Sequence, residues 1–405
     1  MDLGLTRRRL FVMFGAVYFV QGVIQAYQLN FFKPHMDSEG IDADRLAVVA
    51  SLALVPFVIK WVFGMVSDRV PLFGRGHRVP YMLIGLTSTA VAFGVAFFID
   101  PSESFGILAT MVLAATFFMA LFDTTADALA VDAVPAIDHG PVQAWMNGGR
   151  AIGLVAVSLG FGLVADAFGY RYIFAVIALL LLIPLWFVNQ VQEPAERGPV
   201  HTFDPSAFRV LTQGRYLLFA AVLVLAWTFF QGIDGLVTFY MANELGASGS
   251  QIGVYGTLKG IGLLAGGTLL AFLVRRAGRR TAAMTTLAAV TAGGLVLSVT
   301  ASIDVLLWLA PVWGLAVGLQ WTNYVTFTMG ITDLRVAGTM FAVLQTMSNI
   351  GIGAGEGIAT ALSDNLGFSA VFRSLSLANL VVVPLMLAVI ARFPTSANSS
   401  VAAHE

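Results

Sequence analysis

Apolar residues dominate the chain in long runs, and the polar positions that interrupt them recur at helical spacing. Twelve runs are long enough to cross a bilayer, which takes roughly 20 apolar residues. They are predicted over 10–32, 46–67, 79–99, 105–131, 143–166, 170–191, 217–243, 250–274, 282–301, 303–330, 337–362 and 367–391. Between the sixth and seventh lies the longest polar stretch, with proline and charge but no sustained apolar run, as a linker should have. The expected fold class is therefore an all-α membrane protein of twelve transmembrane helices. Its expected organisation is an N-terminal six-helix bundle (1–191), a linker (192–216), a C-terminal six-helix bundle (217–392) and a tail (393–405).

Inside the spans, polar side chains form stripes rather than scatter. Gln21, Gln25 and Gln28 follow i, i+4, i+7 in the first span, and Asp123 and Asp127 are i, i+4 in the fourth. Gln231, Asp234 and Thr238 stripe the seventh, and Gln320, Asn323 and Phe327 the tenth, flanked by Trp321 and Tyr324. These four spans each begin a three-helix unit, so their polar faces should meet around a water-accessible cavity. The plain structural alternative is helix-to-helix hydrogen bonding, worth about 1 kcal/mol or less per contact. Asp234 fits that alternative least, because a mid-span carboxylate needs a partner or a proton.

Three cations are embedded too: Lys60 in the second span, Arg150 in the fifth beside Asn147, and Lys259 in the eighth, one turn after Tyr255. A charge at the centre of a span costs roughly 2.5–3.5 kcal/mol on insertion scales. Pairing Lys259 with Asp234 or Glu356 would offset much of that. Desolvation raises the pKa of a buried carboxylate and a nearby cation lowers it, so a balanced site can take up or release a proton. Asp234 is the first candidate for this role, and Glu356, on a face with Gln345 and Asn349, the second. Asp123 and Asp127, near one end of their span, suit a gate paired with loop arginines as well as a transport role.

Composition narrows the field. Of 405 residues 58% are hydrophobic and 11% charged, with mean hydropathy +0.84, whereas soluble domains run about 25% charged. A net charge of −1 and the lack of a separate basic patch argue against a nucleic-acid partner. Cysteine is absent, which removes disulfides and thiolate metal sites. The five histidines (His35, His77, His139, His201, His404) all fall in predicted loops or the tail, which leaves no embedded histidine relay or metal site. Arg7, Arg8 and Arg9 precede an apolar run too long for a signal-peptide core, so a retained first span is expected. Fifteen of the 22 Lys and Arg residues fall in loops on one side of the predicted membrane. Only Lys33, Arg45, Arg171 and Arg373 fall on the other, which predicts that both termini and the linker are cytoplasmic.

Shifting the chain by 198 residues superposes Ile152, Gly153, Asp166, Gly169 and Phe174 on Ile350, Gly351, Asp364, Gly367 and Phe372, a weak internal repeat. GxxxG spacings at Gly149/Gly153, Gly256/Gly260, Gly262/Gly266 and Gly351/Gly355 predict close helix packing. No GK[ST] follows any of these glycines and no strand precedes them, so neither a phosphate-binding loop nor an ATP site is read, and no cofactor is expected.

The second-to-third loop reads Lys60-Trp61-Val62-Phe63-Gly64, then Asp68-Arg69, then Gly74-Arg75-Gly76-His77-Arg78. It resembles the signature loop of the major facilitator superfamily, and the resemblance extends over essentially the whole chain. It implies the two-bundle fold and a structural and gating role for Gly64, Asp68, Arg69, Gly74, Arg75 and Arg78. Val70-Pro71-Leu72-Phe73 makes the loop longer than the general pattern. With Asp123-Thr124-Thr125-Ala126-Asp127, it resembles the branch of AmpG-type muropeptide permeases, acetyl-CoA transporters and siderophore permeases. The fifth span reads Gly148-Gly149-Arg150-Ala151-Ile152-Gly153 without the proline of the drug antiporters.

The expectation is a proton-coupled solute symporter of the inner membrane, monomeric and not an enzyme, with a medium-sized polar or amphipathic organic solute. Gln21, Gln25, Arg150, Gln231, Asp234, Tyr255, Lys259, Gln320, Asn323, Asn349 and Glu356 would line its cavity. Two rival expectations are a non-transporting membrane scaffold on the same fold and an uncoupled facilitator.

Overall fold

The computed structural model describes residues 5–134, 139–193, 212–331 and 337–393. Most of the expected linker and tail, together with Arg197, Arg209 and Arg335, lie outside these residues. Among the described residues every regular element is helical. Before the linker these are α1 (Arg7–Ala26), α2 (Phe32–Ser38), α3 (Ala43–Leu52), α4 (Val55–Val58), α5 (Lys60–Arg69), α6 (Val79–Ala96), α7 (Pro101–Ala133), α8 (His139–Phe168), α9 (Arg171–Leu180) and α10 (Leu182–Val188). After it come α11 (Gly214–Asn243), α12 (Gly249–Leu297), α13 (Ile303–Ile331), α14 (Ala337–Leu366), α15 (Phe368–Ala378) and α16 (Val382–Arg392).

Among the described residues ten helical stretches are long and apolar enough to cross a membrane. One of them, α12, has 49 residues, about 73 Å at 1.5 Å per residue, more than twice a hydrocarbon core of roughly 30 Å. Its backbone breaks at Gly278 (φ 80, ψ 168), a conformation that needs glycine. With that break, and with α14, each of the twelve predicted segments has a helical counterpart.

Proline explains three further interruptions. Pro184 and Pro384 cannot donate to the carbonyls of Leu180 and Leu380, and the sixth and twelfth segments break there. Pro34 likewise leaves the Asn30 carbonyl without its usual donor, and Tyr27–Phe31 widens into a π turn between α1 and α2. The first segment therefore does not end at Phe32 as predicted; helix continues to Ser38 and carries Lys33 and His35 into the interior. This corrects the placement of both residues in loops.

The repeat read from the sequence marks equivalent packing. A Cβ on Gly153 would collide with the Phe19 carbonyl oxygen of α1, and one on Gly351 would collide with the Val224 carbonyl oxygen of α11. Each glycine thus lets the fifth helix of its half lie directly on the first. Gly169 and Gly367 both take positive φ after the helix end, and Phe174 and Phe372 are both buried. The outer surface is apolar, with Trp308 and Phe98 each 83% exposed, as befits a chain solvated by lipid.

Hydrogen bonds join the two halves at the face away from the linker, here the far face. Asn243 donates to Asp37 (2.7 Å), and the N–H groups of Gly249 and Ser250 donate to Asp166 (2.7 and 2.9 Å). Deeper in the membrane segments, Thr257 donates to the Val155 carbonyl (2.9 Å) and Asn349 to the Phe57 carbonyl (3.3 Å), also across the halves. Asp166 thereby caps α12 from the opposite half, matching a carboxylate to the positive end of a helix.

Candidate functional site

Three buried charge clusters occupy the membrane-embedded interior. The first is built in the C-terminal half. Asp234 on α11 receives Lys259 Nζ from α12 at 3.2 and 3.4 Å and Trp313 Nε1 from α13 at 2.7 Å. Lys259 Nζ also lies 5.7 Å from the centre of the Tyr255 ring. Side-chain exposure is 7% for Asp234 and 9% for Lys259. Of the two partners expected for Lys259, the structure gives Asp234.

The second cluster lies in the N-terminal half. Asp123 on α7 accepts from Gln21 Nε2 of α1 at 2.6 Å and from Lys60 Nζ of α5, with Arg150 of α8 at 3.9 Å. Arg150 sits 4.7 Å over the Tyr18 ring, whose hydroxyl donates to Asp127. The described partners of these two aspartates are embedded side chains and not loop arginines. The structure thus joins Asp123 and Asp127 to Gln21 and Arg150, not to the loop motif. Lys60, which could have reached for the membrane surface, turns inward instead.

The third cluster bridges the halves. Glu356 on α14 pairs with Lys33 of α2 at 2.5 Å and accepts from Gln231 Nε2 of α11 at 2.7 Å. Lys33 also donates to the Gly235 carbonyl at 2.8 Å. Gly235 is required by this arrangement, since a Cβ there would collide with Glu356 Oε1.

The remaining expected residues are less concentrated. Gln320 is buried and donates to the Ala226 carbonyl at 3.3 Å, Asn323 is buried close by in sequence, and Gln25 is half-buried. Asn349 spends its amide on the Phe57 carbonyl. In the signature loop, Gly74 takes φ 63, Arg75 donates to Asn189 at 3.0 Å and Arg69 is exposed. Arg78 is buried, pairing with Asp132 at 3.1 Å and Ser67 at 2.5 Å, while its N–H donates to Glu193 at 2.7 Å. Gly64 faces Thr124 of α7 at ordinary contact distance. The Asp68 side chain lies outside the described residues.

Sequence reasoning missed Lys33, Tyr18, Trp313 and Glu193. Only Lys33 carried a usable signal, a cation just beyond a polar stripe, which the sequence reading placed in a loop. His35 is also misplaced by the sequence reading: it is fully buried, 3.0 Å from the Tyr27 hydroxyl and stacked 5.3 Å from the Tyr170 ring.

Paired carboxylates and cations at membrane depth, on a two-bundle helical frame, are found with a sequence-wide family match. The family model of the major facilitator superfamily covers residues 10–355 and 219–404. The chain belongs to the major facilitator superfamily. That family is one of membrane transporters, and the chain carries its fold.

Among known proteins it is similar to the folate-biopterin transporter of Synechocystis sp. (strain ATCC 27184 / PCC 6803 / Kazusa), 24% identical over 57% of this chain and 48% of that protein. It is also similar to the probable folate-biopterin transporter 7 of Arabidopsis thaliana, 22% identical over 60% of this chain and 58% of that one. The chain thus spans about half the length of the curated relatives it matches. In fold it is similar to the nucleoside transporter NupG, with TM-score 0.75, 14% identity, and coverage of 94% of this chain and 99% of that one. A bacterial homologue of the human lysosomal transporter Spinster, solved inward-facing and unoccupied, matches with TM-score 0.69, 14% identity, and coverage of 96% and 97%.

Proposed function

We propose that the chain carries a medium-sized organic solute with a polar ring system, of pteridine or nucleoside size, across the cytoplasmic membrane by alternating access coupled to protons. Both termini would face the cytoplasm and the working unit would be a monomer. The observation that carries this reading is the Asp234–Lys259 pair with Trp313. Replacing a buried ion pair by packed apolar residues is often neutral or stabilising, so such a pair is a poor device for holding a scaffold together. It is a good device for a solute, whose own anionic or polar groups can exchange with Lys259 or Asp234. The inter-half bonds at the far rim support a rocking motion, because they can part without disturbing the clusters built within each half. The relatives' names supply the ring system; the charges in the interior suit a solute with an anionic group, as folates have.

The test is thermal unfolding of the purified protein against folate, biopterin, nucleosides, anhydro-muropeptides, acyl-CoAs and siderophores. A specific ligand at about 100 times its Kd stabilises the native state by about 2.7 kcal/mol. The expected result is stabilisation by a pteridine or nucleoside that is lost in Lys259→Ala. Stabilisation by a muropeptide or acyl-CoA alone would return the chain to the branch that its loop motif resembles. The absence of any response from a folded sample would count against a solute site.

A further inference from the structure

Asp234, Asp123 and Glu356 each have a cation beside them, but the partners differ in where they are anchored. Asp234 and Lys259 both belong to the C-terminal half, and Asp123, Lys60 and Arg150 all belong to the N-terminal half. Rocking one half against the other leaves those pairs whole. Among the described ion pairs of the interior, Lys33–Glu356 alone joins one half to the other. Lys33 is fixed to the N-terminal half by its own helix. His35, half a turn on, stacks on Tyr170, and Tyr27 and His35 both pack on Phe174. Glu356 is fixed to the C-terminal half by Gln231 and by the glycine gap at Gly235.

We infer that Glu356 is the proton-coupling carboxylate, loaded each time the far face opens and Lys33 is drawn away. This rests on the alternating-access reading above. With Lys33 in place its ammonium lies against the carboxylate and compensates it. When the halves part at the far face, the Lys33 ammonium leaves with its helix toward water. Glu356 keeps only Gln231 and the low-dielectric wall, and a buried carboxylate that loses its cation neutralises rather than staying charged. One proton from the far-side water then binds a Glu356 oxygen, and when the halves close at the far face the return of Lys33 expels it to water on the cytoplasmic side, which is then the open one. The other titratable groups nearby have different attachments. Asp234, one residue before Gly235, is directed to Lys259 and Trp313, and His35 faces Tyr27, Tyr170 and Phe174. From α3, Ser51 approaches Gly353 and Gly357 without a charge. Asp37 and Asp166 lie at the far rim on neutral donors.

The chain has no cysteine, so spin labels can be placed without background. Labels at Arg45→Cys and Glu244→Cys, exposed positions of the two halves at the far face, report opening in nanodiscs with no solute present. Between about pH 8 and about pH 5, a single-proton linkage changes the ratio of open to closed populations by up to about tenfold per pH unit. The expected result is a rise in the open population as pH falls, and its loss in Glu356→Gln, which stays open-biased at every pH. Glu356→Asp keeps the carboxylate and should retain the dependence, which guards against a Gln variant that fails to fold. A pH dependence surviving in Glu356→Gln would overturn the assignment and leave alternating access standing. A single far-face distance in all forms, at every pH, would overturn the alternating-access reading itself.

Discussion

The Asp234 and Asp123 clusters look alike in a residue list and differ in construction. Asp234 has one cation, Lys259, and one indole donor, and the pair is almost wholly enclosed. Asp123 has two cations and an amide within reach, and its cations are partly accessible, Lys60 at 29% and Arg150 at 33%. The first is a minimal, dry pair and the second a redundant, accessible network. Redundancy and access are what decide the cost of losing one member, because an uncompensated charge is expensive only where nothing else can reach it.

The largest effect should therefore come from Lys259→Ala, which strands Asp234. Unfolding in detergent should show a loss of about 3–5 kcal/mol, largely recovered when Asp234→Leu is added. A Lys259→Ala protein as stable as the parent would remove the contrast altogether. Next, Trp313→Phe deletes one donor to a charged acceptor and should cost about 1.5–3 kcal/mol. The scaffolding beneath the two clusters should behave alike. Gly153→Ala and Gly351→Ala each force apart the equivalent helix pair of their own half, at about 1–3 kcal/mol each. A large inequality between them would place the difference between the halves in packing rather than in charge. The smallest effect is expected for Lys60→Met, about 1 kcal/mol or less, because Arg150 remains beside Asp123. Removing both Lys60 and Arg150 should cost more than the sum of the single losses, which a double-mutant cycle would measure.

Much of the fold was legible because lipid leaves few options: backbone groups must be satisfied within the segment, so each span announces itself by length and hydropathy. The i, i+4 stripes also survived, with Gln21 and Asp123 meeting across α1 and α7 as polar faces of two spans. Pairing across helices was less legible. Sequence offered Asp234 and Glu356 as equal partners for Lys259, and nothing in it ranks two contacts that depend on helix rotation. Lys33 was lost for a local reason. Pro34 normally ends a helix, but here the chain absorbs the missing donor in a π turn and continues. The branch resemblance rested on two short motifs, the long loop and the Asp123–Asp127 stretch, whereas the relatives found by comparison are folate-biopterin transporters.

Trp313 gives the interior a voice in the ultraviolet. Its indole N–H ends on Asp234, so the charge of that carboxylate bears directly on the excited-state dipole of the ring. With the other six of the seven tryptophans replaced by phenylalanine, the emission of this ring would register each occupancy of the site as a change in colour or intensity. The protein would then report on its own cargo in real time, without a label or an isotope.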